Sequence, residues 1–390
     1  MDYQIDSRKI QPGDGFLCLP GGERFEADAR DRGAVEVRYL DRLELARFAN
    51  EYFDYPSRNL QVVGVTGTNG KTTTTHLIYN GLKAAGFSPE ILGTLNAELT
   101  TPESWDIARR MAAHRNAGGT HFVMEVSSHA IDQHRVDGID FDVKLLTNIT
   151  QDHLDYHKTF EAYRETKLRF MAGPGRSIFP AEFTQTVLGF QVPLPGRFNT
   201  ENFQAAVAVL RALDVSDHVI SSAMASASAP PGRFELVKEG QPFDVIVDYA
   251  HTPDGLENVC LEAQRIARNR NGQFVVVFGC GGDRDRSKRP KMGRIAERLA
   301  DRVIVTSDNP RSEVPGAITD DILAGLEAPE RAVVILDRRE AIRVAIQQAK
   351  PNDVVMVAGK GHETYQILGS ETIHFDDRDE CRKAIASCFQ

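Results

Sequence analysis

The run Val62-Val63-Gly64-Val65-Thr66-Gly67-Thr68-Asn69-Gly70-Lys71-Thr72-Thr73 decides the fold. Its first four residues are an apolar stretch of the kind that forms a buried strand. His76 to Ala85 is apolar-periodic and predicts a helix. Strand, glycine-rich turn and helix together build a phosphate cradle. Backbone N–H groups and the helix N-terminus face the anion, Lys71 neutralises it, and the Thr72 hydroxyl reaches a bound Mg²⁺. A plain turn needs neither that cation nor that hydroxyl. The loop is a variant: a strict P-loop has Gly six residues before the lysine, and here that position is Val65.

Outward from this loop, strands alternate with helices. Residues 61–66, 121–126 and 142–149 read as strands, and 70–86, 103–117, 160–171 and 200–213 as helices. The alternation predicts a mostly parallel sheet covered on both faces. It restarts after the Ser/Ala-rich stretch 221–231, which reads as a linker, with strands at 243–248, 273–279, 302–307, 332–336 and 353–358. Residues 1–59 are turn-rich, with one strand around Gly15–Leu19 and a linker at Pro56-Ser57-Arg58-Asn59. The fold expected is α/β in three parts. A small N-terminal α/β domain spans 1–59, a P-loop-type central ATP-binding domain 60–231, and a Rossmann-like C-terminal domain 232–390.

Composition narrows the partners. A net charge of −9, without a long run of like charge, argues against nucleic acid, and so against helicase and motor readings. Five scattered cysteines with no CxxC pair fit a reducing cytoplasm better than a disulfide framework or a zinc site. The start Met1-Asp2-Tyr3-Gln4 lacks a signal peptide's basic and apolar regions, and no apolar run is long enough to span a bilayer. A cytoplasmic location, no membrane insertion and a monomeric state are expected.

In open α/β sheets, ligands collect at the carboxyl ends of strands. Glu125 ends the second strand of the central sheet, where a carboxylate can share a hard cation with Thr72. Asp152, His153, Asp155 and His157 follow the third and point to a metal or phosphate site. In the last domain, Cys280 to Asp285, Asp308 to Arg311 and Gly359 to Glu363 follow three strands and bring three charged clusters to one edge. Arg284 and Arg311 can each grip a carboxylate bidentately, and Glu363 can hold an ammonium. Such a pocket suits an amino-acid zwitterion with an extra carboxylate.

Gly-Thr-Asn-Gly-Lys-Thr (67–72), Glu-Val-Ser-Ser-His (125–129), Asp-His-Leu-Asp-Tyr-His (152–157), Gly-Arg-Phe-Asn (196–199), Asp-Tyr-Ala-His (248–251), Asp-Asn-Pro-Arg (308–311) and Gly-Lys-Gly-His-Glu (359–363) together resemble the Mur ligase family. Within it, the chain is similar to the branch that adds the third residue of the peptidoglycan stem peptide. The resemblance runs from about Pro56 to the C-terminus, and Asp6-Ser7-Arg8 looks like the family's uridine-nucleotide motif. It implies an ATP-dependent amide-bond ligase that works through an acyl phosphate and joins meso-diaminopimelate to a carboxylate acceptor such as UDP-N-acetylmuramoyl-L-Ala-D-Glu. It implies two Mg²⁺ ions, held by Thr72, Glu125, His153 and a Lys167 carbamylated by CO₂. Lys71, Glu125, His153 and Lys167 take the catalytic roles. Thr66, Gly67, Thr68, Asn69, Gly70, Lys71, Thr72, Thr73, Asn202, Arg233, Asp248 and His251 bind the nucleotide. Thr100, Thr101, Ser127, Gln133 and Arg135 match positions that hold the muramoyl peptide; Arg284, Asp308, Asn309, Arg311, Gly359 and Glu363 match the amino-acid pocket. In the resemblance, Arg311 goes with diaminopimelate rather than lysine.

The chain is short for that family. The reduction falls on the N-terminal side, between Gly93 and Thr100, and between Lys167 and Pro195. An alternative acceptor, smaller and without UDP, in a specialised or recycling pathway is therefore kept open. A folate-type ligase fits Asp-Asn-Pro-Arg poorly, and a generic P-loop ATPase or a binding subunit does not need all four of Lys71, Glu125, His153 and Lys167.

Overall fold

The computed structural model describes residues 1–389. Three parallel strands, β1 (Tyr3–Gln4), β2 (Gly15–Cys18) and β3 (Glu36–Tyr39), form a small N-terminal sheet in the order β1-β2-β3. Two helices, Glu26–Asp31 and Arg42–Tyr52, accompany it. Asp41 starts the second with a reciprocal capping box to Glu44. Tyr3, Phe48, Tyr52 and Phe53 gather around Trp105, with ring centroids 4.8–5.9 Å from it. Trp105 belongs to the Ser104–Asn116 helix, so aromatic burial fastens the small sheet to the central layer. Pro56–Asn59 is a 3₁₀ turn with Pro56 and Ser57 buried, a packed junction rather than a free linker.

The central sheet comprises β4 (Gln61–Thr66), β5 (Pro89–Leu92), β6 (His121–Glu125), β7 (Val143–Leu146) and β8 (Arg176–Ile178). All are parallel, in the order β5-β6-β4-β7-β8. Helices cover both faces, which is why β4 beyond Gln61, β6 and β7 are buried without alternation and mostly apolar, with polar residues such as Glu125 at strand ends and Lys144 the exception within β7. The strand order reverses beside β4, so the crevice opens where the glycine-rich loop leaves it. The expected linker at 221–231 is partly a correction. Asp217–Ala225 is a helix whose Ile220 and Met224, one turn apart, are buried in the central core with Leu77 and Leu210.

The third sheet comprises β9 (Glu235–Val237), β10 (Asp244–Asp248), β11 (Phe274–Phe278), β12 (Arg302–Val305), β13 (Val333–Val334) and β14 (Val354–Ala358), in the order β13-β12-β11-β14-β10-β9. Only the edge strand β9 is antiparallel. A hairpin, β15 (Tyr365–Leu368) with β16 (Glu371–His374), stands apart from it. Arg338 and Asp377, both fully buried, form a bidentate pair at 2.7 Å, and Arg338 also donates to the carbonyls of Ser307 and Ala358. That pair anchors the ends of the strands that present the candidate pocket. Among the described residues no helix is long and apolar enough to cross a membrane.

Candidate active site

A cleft of about 840 Å³ lies between the carboxyl ends of the central and third sheets and is lined from both. On the central side the loop after β4 turns through Gly67 (φ 144°) and Gly70 (φ 83°) into the Lys71–Ala84 helix. A Cβ on Gly70 would sit 2.3 Å from Asn202 Oδ1, so the turn needs glycine there for both conformation and space. Thr147 Oγ1 donates to Asn69 O at 2.7 Å, and Asn148 Oδ1 accepts from Asn69 N at 2.9 Å. Lys71 Nζ curls back to donate to the carbonyls of Gly67 and Thr68, each at 2.8 Å. Burial lowers its pKa.

Glu125, 1% exposed at the end of β6, is held at both oxygens. Thr94 N donates to Oε1 at 2.9 Å, while Thr72 Oγ1 and Thr94 Oγ1 donate to Oε2 at 3.1 Å. Arg233 Nη2 reaches over from the third layer to donate to Thr72 Oγ1 at 2.9 Å, with its guanidinium 4.4 Å from the Tyr249 ring centroid. Asn69 Nδ2 donates to Asp254 Oδ2 at 2.7 Å, a second link between the layers.

His153 has left-handed backbone (φ 54°), its Nε2 lies 3.3 Å from Asp152 Oδ2, and its ring meets His129 edge-on at 4.9 Å. Burial pushes its pKa down to about 3, which leaves the imidazole neutral with a lone pair to offer. Asp152 is lowered to about 2: burial raises it, but His153, His251 and Lys288 around it and the His153 N–H that donates to it together outweigh that. Lys167, 1% exposed on the Phe160–Ala172 helix, donates to Gly67 O at 2.9 Å and Thr66 Oγ1 at 3.4 Å. Among the described residues no carboxylate pairs with it. Burial and the nearby Lys71 charge drive its pKa well below the ordinary lysine value.

Of the other residues expected at the nucleotide, Asn202 Oδ1 accepts from Thr74 Oγ1 at 3.4 Å, and Thr73 is buried in the first helical turn. Asp248 accepts from Phe234 N at 2.6 Å and Ala250 N at 2.7 Å. His251 Nδ1 lies 2.8 Å from Tyr249 O, and burial lowers this histidine to about 4. Of the residues expected at the acceptor, Thr101 Oγ1 donates to Glu125 O and accepts from Ser127 N, while Thr100 Oγ1 is 3.1 Å from Thr94 Oγ1. Arg135 donates to Thr101 O at 2.9 Å and to Gln133 Oε1 at 2.6 Å.

The three charged clusters of the third sheet converge. Asn309 Nδ2 donates to Glu363 Oε2 at 2.9 Å, and buried Lys360 donates to the same oxygen at 3.0 Å. Asp308 Oδ2 occupies the space a Cβ on Gly359 would need. Arg311 (φ 52°) donates through Nη1 to Gly282 O at 2.8 Å. Arg284 lines the cleft and donates to Asp283 O at 2.9 Å. Hairpin β15–β16 clamps this loop: Gln366 Nε2 donates to Asp308 O at 2.7 Å, and Arg311 pairs with Leu368.

Reasoning from the sequence missed Thr94, Asp254, Tyr163 and the hairpin. Thr94 follows β5, and the carboxyl-end rule that found Glu125 would have found it had that four-residue strand been recognised. Tyr163 stands one helical turn before Lys167, a spacing that signals a shared face.

Residues 65–181 match the Mur ligase middle domain and residues 232–361 the Mur ligase glutamate ligase domain. A protein of Synechococcus elongatus named UDP-N-acetylmuramoyl-L-alanyl-D-glutamate--2,6-diaminopimelate ligase is 42% identical over 467 aligned residues, covering 98% of this chain and 93% of its own. The chain belongs to the Mur ligase family. A Syntrophomonas wolfei protein of the same name is 40% identical over 452 residues, covering 96% and 92% of the two chains. A solved structure described as UDP-N-acetylmuramoyl-L-alanyl-D-glutamate--2,6-diaminopimelate ligase superposes with a TM-score of 0.62 at 30% identity, over 99% of this chain and 94% of its own. MurF ligase from Thermotoga maritima in complex with ADP shares the fold, with a TM-score of 0.66 at 18% identity and 100% and 96% coverage. The 467 aligned positions exceed the 390 residues here, so the Synechococcus relative carries segments this Mur ligase lacks.

Among the described residues no three His, Cys, Asp or Glu side chains form a ready-made cation cage. A set of Thr72, Glu125, His153 and Lys167 depends instead on a hydroxyl and on chemical modification of the lysine. The direction of its pKa shift fits that modification, because burial of an amine with no ion-paired carboxylate disfavours its ammonium form.

Proposed function

We propose that this Mur ligase joins meso-2,6-diaminopimelate to UDP-N-acetylmuramoyl-L-alanyl-D-glutamate at the expense of ATP. The observation that carries the reading is the Thr72 hydroxyl, which donates to Glu125 and accepts from Arg233 at 2.9 Å. Phosphate loop, metal-binding carboxylate and third-layer arginine thus meet at one atom, in a family whose relatives at 40–42% identity are named for this ligation.

The acceptor carboxylate attacks the γ-phosphorus, ADP leaves, and an acyl phosphate forms. The amine of diaminopimelate attacks its carbonyl carbon, and the tetrahedral intermediate expels phosphate. Lys71 leaves the Gly67 and Thr68 carbonyls to neutralise the transferring phosphoryl group, with the loop N–H groups and Arg233 beside it. Thr72 and Glu125 would hold one Mg²⁺, and Glu125, His153 and carbamylated Lys167 a second. When bound, the ions supply charge neutralisation at the phosphates. The Lys167 amine, in its neutral form, adds to the carbon of CO₂; an N–C bond forms, a proton leaves, and an anionic oxygen donor replaces a side chain whose ammonium form would repel a cation. Asn202, Asp248 and His251 bound the nucleoside end. Thr100, Thr101, Ser127, Gln133 and Arg135 orient the acceptor. Arg311 and Arg284 face the distal carboxylate of diaminopimelate, and Glu363 its ammonium. Links such as Asn69–Asp254 draw the two layers together and exclude water from the acyl phosphate. The enzyme is taken to act as a monomer in the cytoplasm.

The shortened chain supports a second reading, in which the same chemistry acts on a smaller acceptor without UDP. Phosphate release with each acceptor separates the two. Equal turnover with the UDP-linked dipeptide and tight binding of free UDP would sink the second; turnover only with the free peptide would sink the first.

A further inference from the structure

One buried side chain touches both halves of the proposed catalytic machinery and has no role in the scheme above. Tyr163 is 1% exposed and lies on the Phe160–Ala172 helix, four residues before Lys167. Its hydroxyl is 2.9 Å from Thr68 Oγ1 in the phosphate loop. Thr68 Oγ1 directs its own proton to Thr150 O at 3.1 Å and accepts from Thr150 N at 3.0 Å. The proton in the Tyr163–Thr68 contact therefore comes from Tyr163, and the Thr68 oxygen is fully used. Lys167 Nζ lies 4.9 Å from the Tyr163 ring centroid, and the His157 and His153 rings pack at 5.4 and 6.2 Å.

We propose that Tyr163 is a positioning residue with two separable parts: its hydroxyl fixes Thr68, and so the phosphate loop, while its ring fixes the Lys167 side chain where carbamylation occurs. The ring half rests on the carbamate reading above; the hydroxyl half does not. The rigid ring lies beside the flexible lysine, 4.9 Å from its Nζ, where that Nζ meets Gly67 O. Without it, the amine gains rotamers that point away from the loop, and the carbamate loses the packing that holds it.

Two variants separate the parts. Tyr163→Phe removes one hydrogen bond and keeps the ring. ADP binding by titration calorimetry weakens about three- to tenfold, the worth of one such bond, and KM for ATP rises while KM for both other substrates stays. The carbamate signal, read by ¹³C NMR after equilibration with labelled bicarbonate, keeps its wild-type intensity. Tyr163→Leu removes the ring. The carbamate signal falls at ambient bicarbonate and recovers at raised bicarbonate. Should Tyr163→Leu fail to fold, Tyr163→Met fills the space without a ring and serves as the same arm. Unchanged ADP affinity in Tyr163→Phe overturns the hydroxyl half, and full carbamate occupancy at ambient bicarbonate in the ring-less variant overturns the ring half. A wild-type enzyme with no carbamate signal overturns the carbamate reading and the ring half with it, while ADP binding by Tyr163→Phe still decides the hydroxyl half.

Discussion

At the scale of single residues, the site is built from groups whose charge states their surroundings set. Lys71 has only loop carbonyls as partners, so its removal leaves no carboxylate stranded. Lys71→Ala should fold normally and lower kcat by about 10²–10³, the usual cost of one preorganised charge donor; thermal melting and phosphate release check the two halves. Lys167→Ala should abolish turnover outright, with partial rescue by a small carboxylic acid; full activity without rescue would refute the carbamate. Arg311→Ala should cost about 2–4 kcal/mol in diaminopimelate binding, and Arg311→Lys should recover only part, because an ammonium lacks the fork. Unchanged affinity would mean that the pocket is misassigned. Two third-layer histidines carry a pH signature. His251 and His362 are lowered to about 4, each by burial first. A depressed histidine favours the folded state fully above the unfolded value of about 6.5, and that contribution is lost as pH falls towards 4. Stability should therefore decline between those values, with His251→Asn flattening the decline in melting temperature.

At the scale of elements, legibility followed periodicity and length. The strand of Val62, Val63 and Val65, the loop and the helix behind it were readable because a buried parallel strand is a continuous apolar run and the loop chemistry is local. The helix at Asp217–Ala225 was masked by its serines and alanines, and only the Ile220–Met224 spacing carried its signal. The hairpin was not legible, because Tyr365 and Leu368 are partly exposed and its value lies in backbone and amide contacts to Asp308 and Arg311. Such contacts leave no residue pattern. Glu125, His153 and Lys167 were located by motif, but the Thr94 contacts that orient Glu125 were not, since a four-residue strand gives little period to read. The loop makes a sharp prediction at this scale. Gly70→Ala must adopt φ 83° and bring a Cβ against Asn202 Oδ1. Strain of about 1 kcal/mol or more from the conformation alone, added to the clash, should displace the loop. ADP binding should fall at least tenfold in calorimetry, with little change in the third layer.

At the scale of the whole molecule, three sheets divide the work. The small first sheet is fastened by an aromatic cluster around Trp105, the second carries the phosphate loop, and the third the paired arginines. The shorter chain still carries the loop, Glu125, His153, Lys167 and the Asp308–Arg311 cluster. The ligase chemistry is therefore expected intact, and the acceptor is where the account is most exposed. The most direct measurement is an acceptor-by-amine matrix read by phosphate release and product mass. The account predicts phosphate release only when ATP, UDP-N-acetylmuramoyl-L-alanyl-D-glutamate and meso-diaminopimelate are all present, one phosphate per amide bond, with little product from lysine. Phosphate release that persists without an acceptor or an amine, and yields no amide, would contradict it.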